Sequence, residues 1–351
     1  MSFLLYGANG YTGALIAREA VARGLSPILA GRSHEKLAPL AEELKIKARA
    51  FKLEDVSALN DSLADVSLVL HCAGPFSATC APMLQACLKA KVHYLDISGE
   101  ISCFEYAHAR HLEAQTRGVV VCPGVGFDVV PTDCLAATLK AALPDAEKLA
   151  LGFASRSGFS PGTAKTMIEN LPLGGCVRRG GKLSEVPHFH HTRKVDFGNG
   201  DGEKLAGTIP WGDVATAFYT TGIPDIEVFV PVSRSAAYLS VLSALIRFAT
   251  APGFIQRLLK RQAERRVRGP SARVRDEAST YVWGEAKNTR GEVKTARVRT
   301  ANGYALTVTA ALAIVEHLLA NKVAPGFYTP SRLMGADFVS TLPGSSVIEL
   351  S

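Results

Sequence analysis

The sequence predicts an α/β fold: a doubly wound parallel sheet of the Rossmann type, an inserted α+β domain with a mainly antiparallel sheet, and a C-terminal return. Three observations carry this. Short apolar runs alternate with ten-residue helical patterns over the first 130 residues, as βαβ units require. A glycine-rich turn, Gly7-Ala8-Asn9-Gly10-Tyr11-Thr12-Gly13, joins the first run to the first helical pattern. Past Pro131 the runs lengthen and the helices between them thin out, which is the pattern of an antiparallel sheet.

Taken in order, strands are expected at Phe3–Tyr6, Pro27–Ala30, Ala48–Leu53, Ser67–Ala73, Val92–Asp96 and Val119–Cys122. Helices are expected at Tyr11–Arg23, Glu35–Leu44, Val56–Leu63, Ala81–Lys89 and Cys103–Thr116. A helix at Asp133–Ala142 opens the second part. Strands follow at Lys148–Ser155, Val177–Arg179, Phe189–Phe197, Ile226–Val232, Thr280–Glu285 and Val293–Thr300, with helix at Thr163–Asn170 and within 236–266. A last helix is expected at Leu306–Leu319. At ~150 residues per domain the length suits two domains. We place the cofactor domain at 1–133, the α+β domain for substrate and dimer contacts at 134–300, and the returning helical segment at 301–351.

Composition excludes several classes. With 47% hydrophobic and 20% charged residues the chain is globular, not disordered. Its net charge of +7 is local: residues 257–275 hold eight basic side chains against Glu264, leaving 31 basic and 31 acidic elsewhere. Nucleic acid is therefore not the expected partner, since the segment lacks interleaved aromatics. Seven dispersed cysteines without a C-x-x-C pair read as thiols of a reducing, cytoplasmic protein. The start of the chain shows no secretory signal, and the apolar run 236–246 is too short to cross a bilayer.

The glycine turn points to a dinucleotide. The first glycine permits the turn, the second lets the backbone approach a pyrophosphate, and the third lets the helix pack on the sheet. The helix N-terminus then favours the anion. Candidate cofactor contacts here are Gly7, Asn9, Gly10, Tyr11, Thr12 and Gly13. The second strand ends in Gly31-Arg32-Ser33, where an NAD site places an acid for the ribose 2′-hydroxyl. Arg32, with Ser33, suits a 2′-phosphate, so NADP(H) is the expected cofactor. Further strand ends supply Cys72, Ala73, Gly74, Pro75, Phe76 and Ser98.

Tyr94, Asp96, Phe127, Thr163 and Lys165 are candidate substrate contacts, the last two at a helix start that can hold an anionic group. Asp128 is the candidate proton donor for hydride chemistry; its other open roles are to cap the helix that begins near Pro131 or to bond backbone amides. Asp133 is open to capping or structural pairing. His188, His190 and His191 lack nearby cysteines or paired carboxylates, so no metal site is expected.

These motifs together resemble the saccharopine dehydrogenase-like oxidoreductases. GANGYTG, the AGR after strand two, CAGPF, YLDISGE (94–100), GFDVVPTD (126–133), SPGTAKT (160–166), PWGDVAT (210–216), NGYALTVTAAL (302–312) and GFYTPSRLMG (326–335) carry the resemblance in order along nearly the whole chain. It is nearest to the branch that includes the trans-acting enoyl reductases. The resemblance implies an NADP-binding domain, a homodimer and hydride transfer to a carbonyl, imine or enoyl group, without naming the substrate. An acyl or lipid-like substrate is preferred; the alternative is a non-catalytic NADP-binding sensor or scaffold. The basic stretch 254–275, amphipathic in pattern, suits an anionic membrane surface, giving a membrane-peripheral protein, or an acyl carrier; a solvated helix or a dimer-interface element reads equally well.

Overall fold

Buried parallel strands need unbroken apolar runs, and Phe3-Leu4-Leu5-Tyr6 and Leu68-Val69-Leu70-His71 supply them at the centre of the first sheet. The computed structural model describes residues 2–155, 157, 160–237, 242–267 and 269–351. Part of the apolar run 236–246 and Arg268 of the basic segment thus lie outside the described residues. The chain divides into two compact units, 1–128 with 304–333, and 129–303 with 334–351.

The first unit holds β1 (Phe3–Tyr6), α1 (Tyr11–Ala22), β2 (Ile28–Gly31), α2 (His34–Leu44), β3 (Ala48–Ala50), α3 (Val56–Leu63), β4 (Leu68–His71), α4 (Phe76–Ala90), β5 (His93–Asp96), α5 (Ile101–His108), α6 (His111–Arg117) and β6 (Val120–Cys122). In the second unit, α7 (Val130–Ala142) leads to β7 (Lys148–Ser155), α8 (Pro161–Asn170), β8 (Gly175–Arg179), β9 (Lys182–Val186), β10 (Thr192–Asp196), β11 (Glu203–Thr208), α9 (Asp213–Thr221) and β12 (Asp225–Pro231). Then come α10 (Arg234–Ala237), α11 (Ser243–Thr250), α12 (Gly253–Arg266), α13 (Ala272–Glu277), β13 (Ser279–Lys287) and β14 (Val293–Ala301). The chain returns to the first unit with α14 (Gly303–Ala320) and β15 (Gly326–Phe327), and ends with α15 (Pro330–Met334), α16 (Phe338–Thr341) and β16 (Glu349–Leu350).

Among the described residues the first sheet runs β15-β6-β5-β4-β1-β2-β3, with parallel pairing throughout. The order reverses between β1 and β4, the switch point where ligands of such sheets lie. The second sheet runs β10-β11-β12-β7-β13-β14-β16, with β8 and β9 branching from β12. It is antiparallel except where β7 meets β12. Fold class and both sheet types are those the sequence predicts.

Two sequence expectations change. Cys103–Thr116 is not one helix: Arg110 ends the first segment, with its guanidinium 3.2 Å from the centre of the Tyr106 ring and bonded to the Tyr106 carbonyl. The strand expected from Phe189 begins only at Thr192, because Phe189 takes a left-handed φ of 51°. The run missed as an apolar stretch is α14. Among the described residues it is the one helix long and apolar enough to cross a membrane. It is a core helix of the first unit, burying Leu306, Leu312, Ile314, Val315 and Leu318 and pairing Glu316 with Arg23.

Candidate functional site

The site grows from the β1–α1 turn. Gly7 stands at φ +86°, and a Cβ there would lie 2.7 Å from the Ala73 nitrogen. A Cβ on Gly13 would lie 2.3 Å from the Gly7 carbonyl oxygen. Only hydrogen fits at either position, so the glycines bring the loop, the start of α1 and the end of β4 to contact distance. Gly10, which has no side chain to offer the first-turn amides, caps α1 at the end of the glycine turn. This is the cradle a pyrophosphate fills. Asn9 and Gly10 are exposed beside it, and Tyr11 packs edge-on against Tyr304, ring centres 5.1 Å apart.

Asn9 reaches toward β2: its Oδ1 would lie 3.0 Å from a Cβ on Gly31. The next residue, Arg32, is exposed, and no carboxylate pairs with it among the described residues. Ser33 caps α2 without a side-chain bond. An unpaired guanidinium at the end of β2 meets the requirement of a 2′-phosphate.

The second cluster lies at the ends of β4, β5 and β6. Cys72 and Ala73 abut Gly7, and the Gly74–Pro75 peptide is cis. Pro75 caps α4, but the carboxylate that satisfies this helix is Glu100: Oε1 accepts from Phe76 N at 2.8 Å and Oε2 from Ser77 N at 2.6 Å. The Phe76 amide is therefore committed within the protein, while its ring packs against His71. His71 is buried and donates from Nε2 to Thr79 Oγ1, whose own proton goes to the Ala73 carbonyl. Burial holds the His71 imidazole neutral, its pKa pushed down to about 3.

Tyr94 and Asp96 are joined in a buried hydrogen-bonded cluster. Each is 0% exposed. Asp96 Oδ2 accepts from Tyr94 Oη (2.7 Å) and Cys103 Sγ (3.2 Å), and Oδ1 from the Ser98 and Gly124 amides, both at 2.9 Å. The carboxylate thus clasps the ends of β5 and β6. Cys80, Asp96 and Cys103 place their ligand atoms within 4.8 Å of one another. With four donors already on Asp96, hydrogen bonding accounts for the grouping. Ser98 is buried, its Oγ accepting from the Glu100 amide.

Asp128 follows this clasp. Its carboxylate lies against Gly99, where a Cβ would meet Oδ2 at 2.7 Å. Burial, and then the charge of Glu100, raise its pKa to about 7. The cap residue of the next helix is its neighbour Val129. Phe127 is held by its amide, which donates to Thr307 Oγ1 at 3.0 Å. Asp133 is buried and accepts from Thr220, a structural role in the second unit.

Thr163 and Lys165 belong to the second unit, on α8. The Thr163 amide donates to Ser160 Oγ, the side-chain cap of this helix. The histidines diverge: His188 Nδ1 meets Ser243 and His191 Nδ1 meets Glu227, with no common strand face. Sequence reasoning missed Glu100, Tyr304 and Thr307. Glu100 ends the YLDISGE motif and could have been read as the acid nearest α4; the other two lie far along the chain, and no local spacing announces them.

A parallel sheet with this order, a glycine-gated helix start at its switch point and a free guanidinium after β2 define the dinucleotide-binding class of Rossmann domains. More particularly, residues 3–122, about a third of the chain, match the family model of the saccharopine dehydrogenase NADP-binding domain. The chain is 33% identical over 150 residues to the saccharopine dehydrogenase-like oxidoreductase of Mus musculus, covering 37% of this chain and 35% of that one. It is 33% identical over 138 residues to a trans-acting enoyl reductase of Mycobacterium tuberculosis (strain ATCC 25177 / H37Ra), covering 37% and 33%. These matches span about a third of the relatives' length. The fold of the whole chain is that of an apo saccharopine dehydrogenase (L-Glu forming) from Saccharomyces cerevisiae, with a TM-score of 0.65, 12% identity and 100% and 99% coverage.

Proposed function

We propose that this chain is an NADP(H)-dependent oxidoreductase that passes hydride to or from a carbonyl, imine or enoyl group. The observation that carries the reading is Asp128: a carboxyl whose pKa is raised to about 7, in the turn between β6 and α7, against Gly99. Bound NADP(H) supplies the hydride. The α1 amides and the glycine turn bind the pyrophosphate, Arg32 and Ser33 bind the 2′-phosphate, and Cys72–Pro75 form the backbone wall beside the loop. Asp128 gives a proton to the reduced substrate atom and recovers it from solvent, as a group with pKa near the working pH does best. Tyr94, Asp96 and Glu100 hold the strand ends that position it.

The similarity to a trans-acting enoyl reductase supports enoyl thioesters as the first substrates to try. The test is NADPH oxidation, followed by absorbance, across enoyl thioesters, imines and ketones. The reading expects turnover with one class, a kcat for Asp128→Asn lower by roughly a hundredfold or more, and unchanged NADPH affinity. NADPH binding without oxidation across the panel would favour the sensor instead. Tighter binding of NADH than NADPH would remove Arg32 from its role.

A further inference from the structure

We propose that the α11–α12 helical hairpin of the second unit docks the protein on an anionic lipid bilayer. Two helices joined by Ala251-Pro252 carry five large apolar side chains that are half or more exposed: Leu242 (50%), Leu245 (62%), Phe248 (81%), Phe254 (64%) and Leu258 (63%). A folded protein scatters exposed apolar residues singly; here five fall within seventeen positions, a concentration that asks for a partner.

The hairpin is fixed from behind. On α12 the inward face touches α8, with Gln256 Nε2 donating to the Ile168 carbonyl at 3.0 Å and Lys260 3.5 Å from Glu169. On α11, Arg247 donates to the Pro172 carbonyl and pairs with Glu185. The outward face of α12 carries Phe254, Leu258, Arg261 and Arg265 at helical spacing, with Arg257 alongside, and these five are exposed. Arg257, Arg261, Arg265 and Arg266 have no ion-pair partner among the described residues. The charge here is thus available, and it is interleaved with the apolar side chains.

That mixture selects the occupant. A bilayer interface takes both parts at once: the aromatic and aliphatic side chains enter the acyl boundary while the guanidinium groups stay among anionic headgroups. The acidic surface of an acyl carrier would answer the arginines and leave Phe248 and Phe254 in water. A second copy of the chain, meeting this patch across a twofold axis, would set arginine against arginine.

The test is flotation of the full chain with vesicles of phosphatidylcholine containing roughly one-third phosphatidylglycerol, against vesicles of phosphatidylcholine alone. Binding to the anionic vesicles, weakened by ~0.5 M salt, is expected. The double variants Phe248→Ser/Phe254→Ser and Arg257→Glu/Arg261→Glu should each lower the partition coefficient about tenfold or more, with NADPH affinity and melting temperature unchanged. If the apolar pair lowers the melting temperature, the charge pair decides. Failure to float at low salt, equal binding to neutral vesicles, or parental binding by the charge-pair variant would each overturn the proposal. So would capture by an acyl carrier without vesicle binding, or a change in oligomeric mass as the variants' one effect. NADPH turnover is read separately, so a negative result here leaves the proposed reaction standing.

Discussion

At the scale of single residues, Asp128 is the most informative group because its titration reaches both chemistry and stability. Its folded pKa is about 7 against an ordinary 3.8, so the native state holds the proton more tightly than the unfolded chain does. Stability from this group is therefore present below about pH 4 and is lost as pH rises toward 7, where ionisation in place becomes unavoidable. Asp128→Asn should match the parent's stability near pH 4. At pH 8 it should exceed it by about 1–3 kcal/mol, read by denaturant melts at the two pH values. Parental stability at pH 8 equal to the variant's would mean the carboxyl titrates normally. Gly13→Ala tests the other essential contact. Its methyl would sit 2.3 Å from the Gly7 carbonyl oxygen, so the helix must back away from the turn. We expect a loss of about 1–3 kcal/mol and at least tenfold weaker NADPH binding; calorimetry of both would show whether the cradle tolerates the shift.

At the scale of elements, the start of α4 is the joint between the sheet and the acid. Glu100 gives both carboxylate oxygens to the Phe76 and Ser77 amides and also raises the Asp128 pKa by its charge. Glu100→Gln keeps one acceptor and turns an amide NH2 toward the second backbone donor, at a cost of about 1–3 kcal/mol. It also removes the negative charge, so the Asp128 midpoint should fall below 7. An NMR titration of the Asp128 carboxyl would see this directly, and an unmoved midpoint would leave burial as the entire cause. The sequence made most elements legible: β1, α3 and β7 fall where apolar spacing puts them, and the glycine turn announces α1. Two strands of the second sheet were not. β9, Lys-Leu-Ser-Glu-Val, and β11, Glu-Lys-Leu-Ala-Gly-Thr, are strands with mixed polar faces, and nothing in them outweighs a loop reading. The same limit applies to the site. The glycines and Arg32 are local signals, whereas the burial of Tyr94 and Asp96 depends on who donates to Asp96. Gly124 does so from the loop after β6, 28 positions away.

At the scale of the whole molecule, the cofactor unit is discontinuous in the chain, and its completion depends on residues 304–333. β15 pairs with the β6 edge of the sheet, and α14 supplies Tyr304 to Tyr11, Thr307 to the Phe127 amide and Glu316 to Arg23. Its five most buried large side chains, at ~1.5–3 kcal/mol each, are worth roughly 7–15 kcal/mol, against ~5–15 kcal/mol for the whole stability of a domain. A fragment of residues 1–128 contains the glycine turn, Arg32 and Asp128, so by motif it is a complete cofactor site. By packing it is incomplete. Expressed alone, it should show no cooperative melt and bind no NADPH, while the same fragment joined by a flexible linker to residues 304–333 should recover both. Circular dichroism and NADPH fluorescence read the two outcomes. A cooperative, NADPH-binding 1–128 fragment would mean that α14 and β15 decorate the cofactor unit and that the β1–β6 core carries its own stability.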